Sequence, residues 1–127
     1  MIIGAHLLIY SADADADRRF LAEMFGFPAV DAGEGWLIFA LPPAELALHP
    51  TGSEPGQAHA DEDLVGCELY LMCDDVAAES ARLAALGVEC SPPVHAGWGV
   101  ASTIRLPSGG RIGLYEPHHP SPIAGNG

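Results

Sequence analysis

The chain has no lysine, and its positive charge comes from five arginines set against 17 acidic residues among 127. The formal net charge at pH 7 is −12. Proteins that bind nucleic acids or anionic membranes need basic surfaces to attract phosphate groups. The charge balance therefore argues against nucleic-acid and membrane partners.

Long apolar runs are also missing, since none approaches the ~18 residues of a membrane span. The first ten residues are apolar, but they lack a basic flank and lead directly into Asp13, Asp15 and Asp17. This pattern predicts a buried first strand and not a secretion signal. Cysteine is scarce and odd in number, which does not make a disulfide framework, so we expect a cytoplasmic protein. The three cysteines are Cys67, Cys73 and Cys90.

The composition is that of a globular protein, with 49% hydrophobic and 17% charged residues. A chain of this length is long enough to bury one core. We expect a single domain over residues 1–120 and a tail over 118–127. Residues 51–63 are rich in glycine, proline and acids, which predicts a linker inside the domain.

Apolar periodicity divides the first half of the chain into one helix and four strands. The helix is predicted over Asp13–Phe25, because apolar residues recur at every fourth position and Gly26 follows. The strands are predicted over Ile2–Tyr10, Phe27–Val30, Trp36–Leu41 and Glu45–His49.

The second half repeats this order. A helix is predicted over Asp75–Leu86, ended by Gly87. The strands are predicted over Val65–Cys73, Val88–Ser91, Trp98–Leu106 and Arg111–Pro117, and the last two are joined by a glycine-rich turn.

The two halves align as an internal repeat. The helix ends Gly26 and Gly87 differ by 61 positions, and the same offset places His6 on Cys67. Small insertions then widen the offset, so that His49 falls on Glu116. We therefore predict an α+β fold in which two β-α-β-β-β modules, residues 1–50 and 64–117, pair into a curved, incompletely closed sheet.

The last predicted strand ends in a carboxylate. By the period-2 rule, Ile112, Leu114 and Glu116 share one face, while Gly113 and Tyr115 share the other. An acid aligned with two aliphatic residues needs a partner, because an unpaired buried carboxylate is costly. Glu116 is therefore the first candidate for a site residue.

With the repeat in place, the sequence resembles the vicinal oxygen chelate superfamily, which includes glyoxalases, bleomycin resistance proteins and extradiol dioxygenases. The resemblance covers Met1 to Pro117 and rests on the paired modules and on several short strings. These strings are H-L-L-I-Y, E-L-Y-L-M-C-D-D-V, G-W and L-P-S-G-G-R-I-G-L-Y-E-P.

The resemblance implies a divalent metal held by His6, His49, Cys67 and Glu116. Iron, manganese, nickel and zinc are the candidate metals, and such an ion would chelate two vicinal oxygens of a substrate while Glu116 moves a proton as the catalytic residue. The family's usual ligand at the position of Cys67 is histidine. Cysteine makes the set softer, which favours zinc or no metal at all.

Three hypotheses about the function remain open at this point. The first is a lyase, isomerase or dioxygenase that uses the metal. The second is a metal-free protein that binds and sequesters a small molecule in the concave sheet. The third is a structural or partner-binding module. Trp36, Trp98 and Tyr10 are candidate substrate-binding residues, and the resemblance also implies a homodimer.

Overall fold

The structure is a computed structural model that describes residues 1–49, 55–59 and 62–123. It has two helices and eight strands in open sheets, which confirms the predicted α+β class. The elements are α1 (Ala14–Phe25), β1 (Ala29–Asp31), β2 (Leu37–Phe39), β3 (Pro55–His59), β4 (Glu62–Val65), β5 (Tyr70–Met72), α2 (Val76–Ala85), β6 (Val94–Ala96), β7 (Gly99–Arg105) and β8 (Arg111–Pro117).

The chain divides into two compact units. The first unit consists of Met1–Leu41 and Arg105–Arg111, and the second of Pro42–Ile104 and Ile112–Gly127. No helix in the described parts of the chain is long and apolar enough to cross a membrane. The predicted single domain over residues 1–120 stays a prediction.

Helix α1 of the first unit has the ends that its sequence predicts. The Asp13 side chain accepts a hydrogen bond from the Ala16 amide at the N-terminus. Gly26 adopts a left-handed conformation (φ 64°), and its amide bonds to the Ala22 carbonyl. Glycine reaches this region without steric cost, so the helix ends there.

The first unit contains a buried acid that sequence analysis did not select. Asp17 in α1 is only 6% exposed. Its carboxylate accepts hydrogen bonds from the Ser11 hydroxyl (2.6 Å), the Ser108 amide (3.0 Å) and the Ser108 hydroxyl (2.7 Å). These three donors compensate the burial of the charge and fix the turn before β8 against α1.

The second unit contains a four-stranded sheet in the order β5-β8-β7-β6. Strands β5 and β8 are parallel, with Tyr70 opposite Gly113 and Met72 opposite Tyr115. Strands β6 and β7 are antiparallel. Helix α2 follows β5 and begins at the cap residue Asp75, whose side chain accepts from the Ala78 amide.

One side of this sheet forms the core. In β7 the alternate residues Val100, Ser102 and Ile104 are buried, as expected of a period-2 strand, and in β8 the three consecutive residues Ile112, Gly113 and Leu114 are buried. Val76 and Leu83 of α2 are buried too. The core residues of the second unit are Val76, Leu83, Val88, Val100, Ile104, Ile112 and Leu114.

Several predicted strands differ from the structure. Residues 1–10 have no regular secondary structure and are exposed, with Ile2 at 93%. A strand needs a hydrogen-bonded neighbour, and none of the described strands pairs with this segment. Glu45–His49 forms no strand for the same reason, and Val88–Ser91 is reduced to a bridge between Cys90 and Ile104. Pro92 and Pro93 follow directly. Because proline has no backbone N–H to donate, the strand pairing does not continue through them.

Strands β3 and β4, which overlap the predicted linker 51–63, pair as antiparallel strands. Strand pairing uses backbone groups and does not require apolar side chains, so a polar sequence can form it. Residues 51–54, 60 and 61 of the predicted linker lie outside the described residues, as do residues 124–127 of the predicted tail.

The role of Asp17 is testable by substitution. Asp17→Ala is expected to lower the free energy of unfolding by roughly 3 kcal/mol, because charge-assisted hydrogen bonds are lost and the partly buried Ser108 amide loses its acceptor. Glu23→Ala, at an exposed position of the same helix, is the control and should stay within about 0.5 kcal/mol of wild type. Urea denaturation measures both, and equal effects would contradict this role.

Candidate functional site

Strand β8 separates two chemically different sides of the sheet. Ile112 and Leu114 are buried, and Glu116 follows them on the same side. Gly113 and Tyr115 lie on the opposite side, where large side chains are partly exposed. The strand has the predicted bounds Arg111–Pro117, and its side chains alternate between the two sides of the sheet, although Gly113 is buried as well as Ile112 and Leu114.

The carboxylate of Glu116 is directed to the start of α2. Its Oε1 accepts a hydrogen bond from the Val76 amide (2.9 Å), the first residue of that helix. Its Oε2 lies 2.7 Å from Nε2 of His118, which donates because an ionised carboxylate only accepts. The Val76 hydrogen bond first, and the His118 contact second, hold the pKa of Glu116 below its ordinary value of 4.5.

The cysteine near this contact is not a reactive thiol. The pKa of Cys73 is raised to about 11, first by burial and then by the nearby carboxylates of Glu79, Glu116 and Asp74, which together outweigh a lowering hydrogen bond at the Asp75 backbone. Its thiol therefore stays protonated at neutral pH, and the thiolate is the form that attacks or binds metals.

On the opposite side of β8, four rings form what we call the aromatic face: Tyr70, Trp98, Tyr115 and His119. Tyr115 is at the centre, with its ring centroid 6.0 Å from Tyr70, 5.8 Å from Trp98 and 5.7 Å from His119. The Tyr115 hydroxyl donates to the Trp98 carbonyl (3.1 Å). Tyr70 and Trp98 remain 46% and 49% exposed.

Two glycines make room for these rings. A Cβ atom at Gly113 would overlap the ring of Tyr70, its partner across the parallel strands. A Cβ atom at Gly99, which has φ 151°, would meet the Glu116 carbonyl oxygen and the Tyr115 ring. Glycine is required at both positions because any side chain would displace an aromatic ring or strand backbone.

A carboxylate lies beside the aromatic face. Oε1 of Glu45 accepts from the Ser121 hydroxyl (2.5 Å), and Oε2 lies 3.5 Å from Nε2 of His119. Burial first, and then the charge of Glu45, raise the pKa of Tyr115, so its phenol is neutral at physiological pH. The segment after β8 is therefore bound to Glu45 through Ser121 and His119, and the His119 ring packs against Tyr115.

This arrangement has the chemistry of a binding surface. Exposed aromatic rings offer apolar area and π-faces on which another ring or a cation can stack. The one carboxylate next to the rings adds a charge and hydrogen-bond acceptors. Ligand sites commonly combine apolar rings with a small number of polar groups in this way.

The residues predicted from the sequence are divided between the two units. His6 and Tyr10 lie in the exposed segment 1–10 of the first unit. Trp36 is also in the first unit, where the Arg18 guanidinium lies 4.4 Å from its ring centroid. His49, Cys67 and Trp98 are exposed residues of the second unit, which also contains the partly buried Glu116. Of all of them, Trp98 is the one that belongs to the aromatic face.

The predicted metal ligands come from distant parts of the chain. Within the described part of the chain, no three histidine, cysteine or acidic side chains are grouped closely enough to hold a metal ion. Both carboxylate oxygens of Glu116 already form hydrogen bonds. His6 belongs to the first unit and His49, Cys67 and Glu116 to the second, so this set stays a prediction, and no step of the function below is derived through a metal ion.

Sequence reasoning did not select Tyr70, Tyr115, His119 or Glu45 for the site. A signal for the two tyrosines exists, because G-L-Y in β8 places Gly113 beside Tyr115 on one face, and a missing side chain leaves space for a neighbouring ring. No comparable signal exists for Glu45, since its contacts with His119 and Ser121 join positions more than 70 residues apart.

Comparison with known proteins defines the class. The profile of the Glyoxalase/Bleomycin resistance protein/Dioxygenase superfamily matches residues 4–117, so the chain belongs to this superfamily. The resemblance noted from the sequence is thereby confirmed. A search of curated proteins found no match.

Solved structures give more particular similarities. The chain is 27% identical to TnmS3, an antibiotic binding protein from Streptomyces sp. CB03234, over 92% of this chain and 98% of that one, with a TM-score of 0.60. It is 29% identical to a glyoxalase/bleomycin resistance protein from the same organism, over 83% and 92% of the chains, with a TM-score of 0.50. A lactoylglutathione lyase from Agrobacterium tumefaciens shares the fold at 18% identity, over 84% and 87%, with a TM-score of 0.56.

The dependence of the aromatic face on Gly113 gives a prediction. Gly113→Ala is expected to displace the Tyr70 ring, reduce the near-ultraviolet circular dichroism of the aromatic cluster and lower the free energy of unfolding by about 1–3 kcal/mol. Gly110→Ala is the control on the same hairpin, because a Cβ atom there meets the Ser108 hydroxyl at an ordinary 3.5 Å. Identical spectra for wild type and Gly113→Ala would contradict the packing described above.

The contact between Glu116 and α2 gives a pH prediction. A carboxyl whose folded-state pKa is lowered stabilises the protein above its ordinary pKa of 4.5, and this contribution is lost as the pH falls through the lowered value. Wild type should therefore be more stable than Glu116→Gln at about pH 7, and the difference should shrink on acidification to about pH 3. Urea denaturation at several pH values measures it, and a constant difference would contradict the contact.

Proposed function

We propose that this protein binds a small aromatic molecule on the aromatic face and sequesters it without a metal. The observation that carries the proposal is the group of partly exposed rings around Tyr115, on the side of the sheet opposite the core. Rings exposed in this way lose favourable apolar burial unless another molecule covers them. The 27% identity with an antibiotic binding protein of the same superfamily supports the same class of function.

The sequestering function needs no chemical step. Tyr70 and Trp98 offer stacking surfaces, and Tyr115 holds them in place through its ring and its hydroxyl. Gly113 and Gly99 keep the strands close enough for the rings to cluster. Each residue therefore contributes to binding or positioning, and Glu116 contributes by fixing β8 to the start of α2.

A neutral three-ring aromatic, acridone, tests this proposal by isothermal titration calorimetry. Trp98→Ala is expected to raise the dissociation constant about tenfold, because an exposed aromatic anchor commonly contributes at least 1–2 kcal/mol to binding. Val94→Ala is the matched control, since Val94 is an exposed apolar residue on β6 of the same unit. Unaltered binding by Trp98→Ala would overturn the proposal, and so would a wild type that binds neither acridone nor a charged three-ring aromatic.

The same titration with Trp36→Ala and Tyr10→Ala tests the other predicted substrate-binding residues. A loss of affinity for acridone equal to that of Trp98→Ala would place these two residues in the site.

Metal analysis of protein purified without an affinity tag tests the predicted ligands His6, His49, Cys67 and Glu116. A stoichiometric divalent metal that Glu116→Gln removes would replace sequestration with the metal-dependent reaction that the resemblance implies.

We also propose that the protein forms a homodimer, in which a second copy covers the apolar segment 1–10. Seven large apolar side chains of this segment are exposed, and burying them against another copy would be favourable. They are Met1, Ile2, Ile3, Leu7, Leu8, Ile9 and Tyr10.

The cytoplasmic location inferred from the cysteines stays part of the proposal.

Light scattering after size exclusion tests the dimer. Wild type should have twice the 13.2 kDa mass of the chain, and Leu8→Asp should shift it to the monomer, since a carboxylate buried in an apolar interface is costly. Val30→Asp, at an exposed apolar position outside the segment, should leave the mass unchanged. A monomeric wild type would contradict the dimer.

A further inference from the structure

The negative charge of the chain is unevenly distributed. The second unit contains eleven of the 17 acidic residues but one arginine, and so has a formal charge of −10 out of the total of −12. That arginine, Arg82, forms an ion pair with Glu79 on α2 (2.6 Å). The four other arginines belong to the first unit. The aromatic face therefore lies in the unit with almost all of the net charge.

One of these carboxylates is placed directly at the rings. Glu45 contacts His119 and raises the pKa of Tyr115, so its negative charge acts at the centre of the aromatic face. Each of its oxygens has one protein partner and keeps further acceptor capacity. Its side chain is 18% exposed, so solvent screens the charge less than it screens a fully exposed carboxylate.

Aromatic rings and a neighbouring carboxylate both favour a positively charged ligand. The face of a tyrosine or tryptophan ring carries the negative end of its quadrupole and attracts cations. A carboxylate attracts a cation directly, and the summed charge of the unit raises the local concentration of cations. Both terms disfavour an anionic ligand on the same surface, while apolar stacking is indifferent to charge.

We propose that the ligand of the aromatic face is a planar aromatic cation, selected against neutral and anionic analogues by Glu45 and the π-faces of Tyr70 and Trp98. This inference rests on the proposed binding function and names the class of its ligand. The rings supply affinity for any planar aromatic molecule, and Glu45 supplies the preference for positive charge. His119 is the one group on the face that carries positive charge when protonated.

Three planar three-ring probes of different charge test the inference: proflavine as the cation, acridone as the neutral compound and anthracene-9-carboxylate as the anion. Titration calorimetry is run at about pH 8, where an ordinary imidazole is neutral. We expect proflavine to bind at least about tenfold more tightly than acridone, and anthracene-9-carboxylate to bind more weakly than both. Raising the salt from about 0.02 M to 0.5 M should reduce the ratio, because screening acts on the charge term.

The variant Glu45→Gln isolates the carboxylate, since glutamine retains the size and an acceptor oxygen. It should lower the ratio of proflavine affinity to acridone affinity by about fivefold or more. Glu79→Gln is the control, because it removes one charge from the same unit at an ion pair on α2, and it should leave the ratio within about twofold.

The outcomes separate the two proposals. If none of the probes binds wild type, both the binding function and the ligand class are overturned. If acridone or anthracene-9-carboxylate binds as tightly as proflavine, the ligand class is overturned while the binding function stands. If Glu45→Gln and Glu79→Gln change the ratio equally, the selection by Glu45 is wrong.

Discussion

The hydrogen bond from the Val76 amide to Glu116 is the contact on which the second unit depends. It joins the last strand to the first residue of α2, where unpaired amides and the helix dipole both favour a negative charge. With Glu116 fixed on that side, the alternation of β8 places Ile112 and Leu114 in the core. The next residues in the alternation, Gly113 and Tyr115, must then lie on the other side of the sheet.

The aromatic face follows from this orientation of β8. Because Gly113 has no side chain, the Tyr70 ring occupies the space above it and reaches Tyr115. Trp98 and His119 complete the cluster from segments before β7 and after β8. The same carboxylate that resembles a family metal ligand in sequence therefore acts, in this geometry, as a structural anchor for the strand that carries the rings.

Local elements were predictable from the sequence because their causes are local. The cap at Asp13, the left-handed Gly26 and the turn before β8 involve residues a few positions apart, and both helices and β8 lie where the sequence places them. Strands that depend on a partner from a distant part of the chain were less predictable. Residues 1–10 have the composition of a strand, but a strand forms only with a neighbour, and the sequence does not state which neighbour is available.

The sequence by itself determined the superfamily, the α+β class, the helix ends and which residues of β8 share a face, since periodicity and caps are properties of short stretches of chain. Only the tertiary structure decided that Glu116 bonds to α2 and that Glu45 lies 3.5 Å from His119. These contacts join residues 40 and 74 positions apart. Which distant groups meet depends on how whole elements pack, and no local pattern encodes that choice.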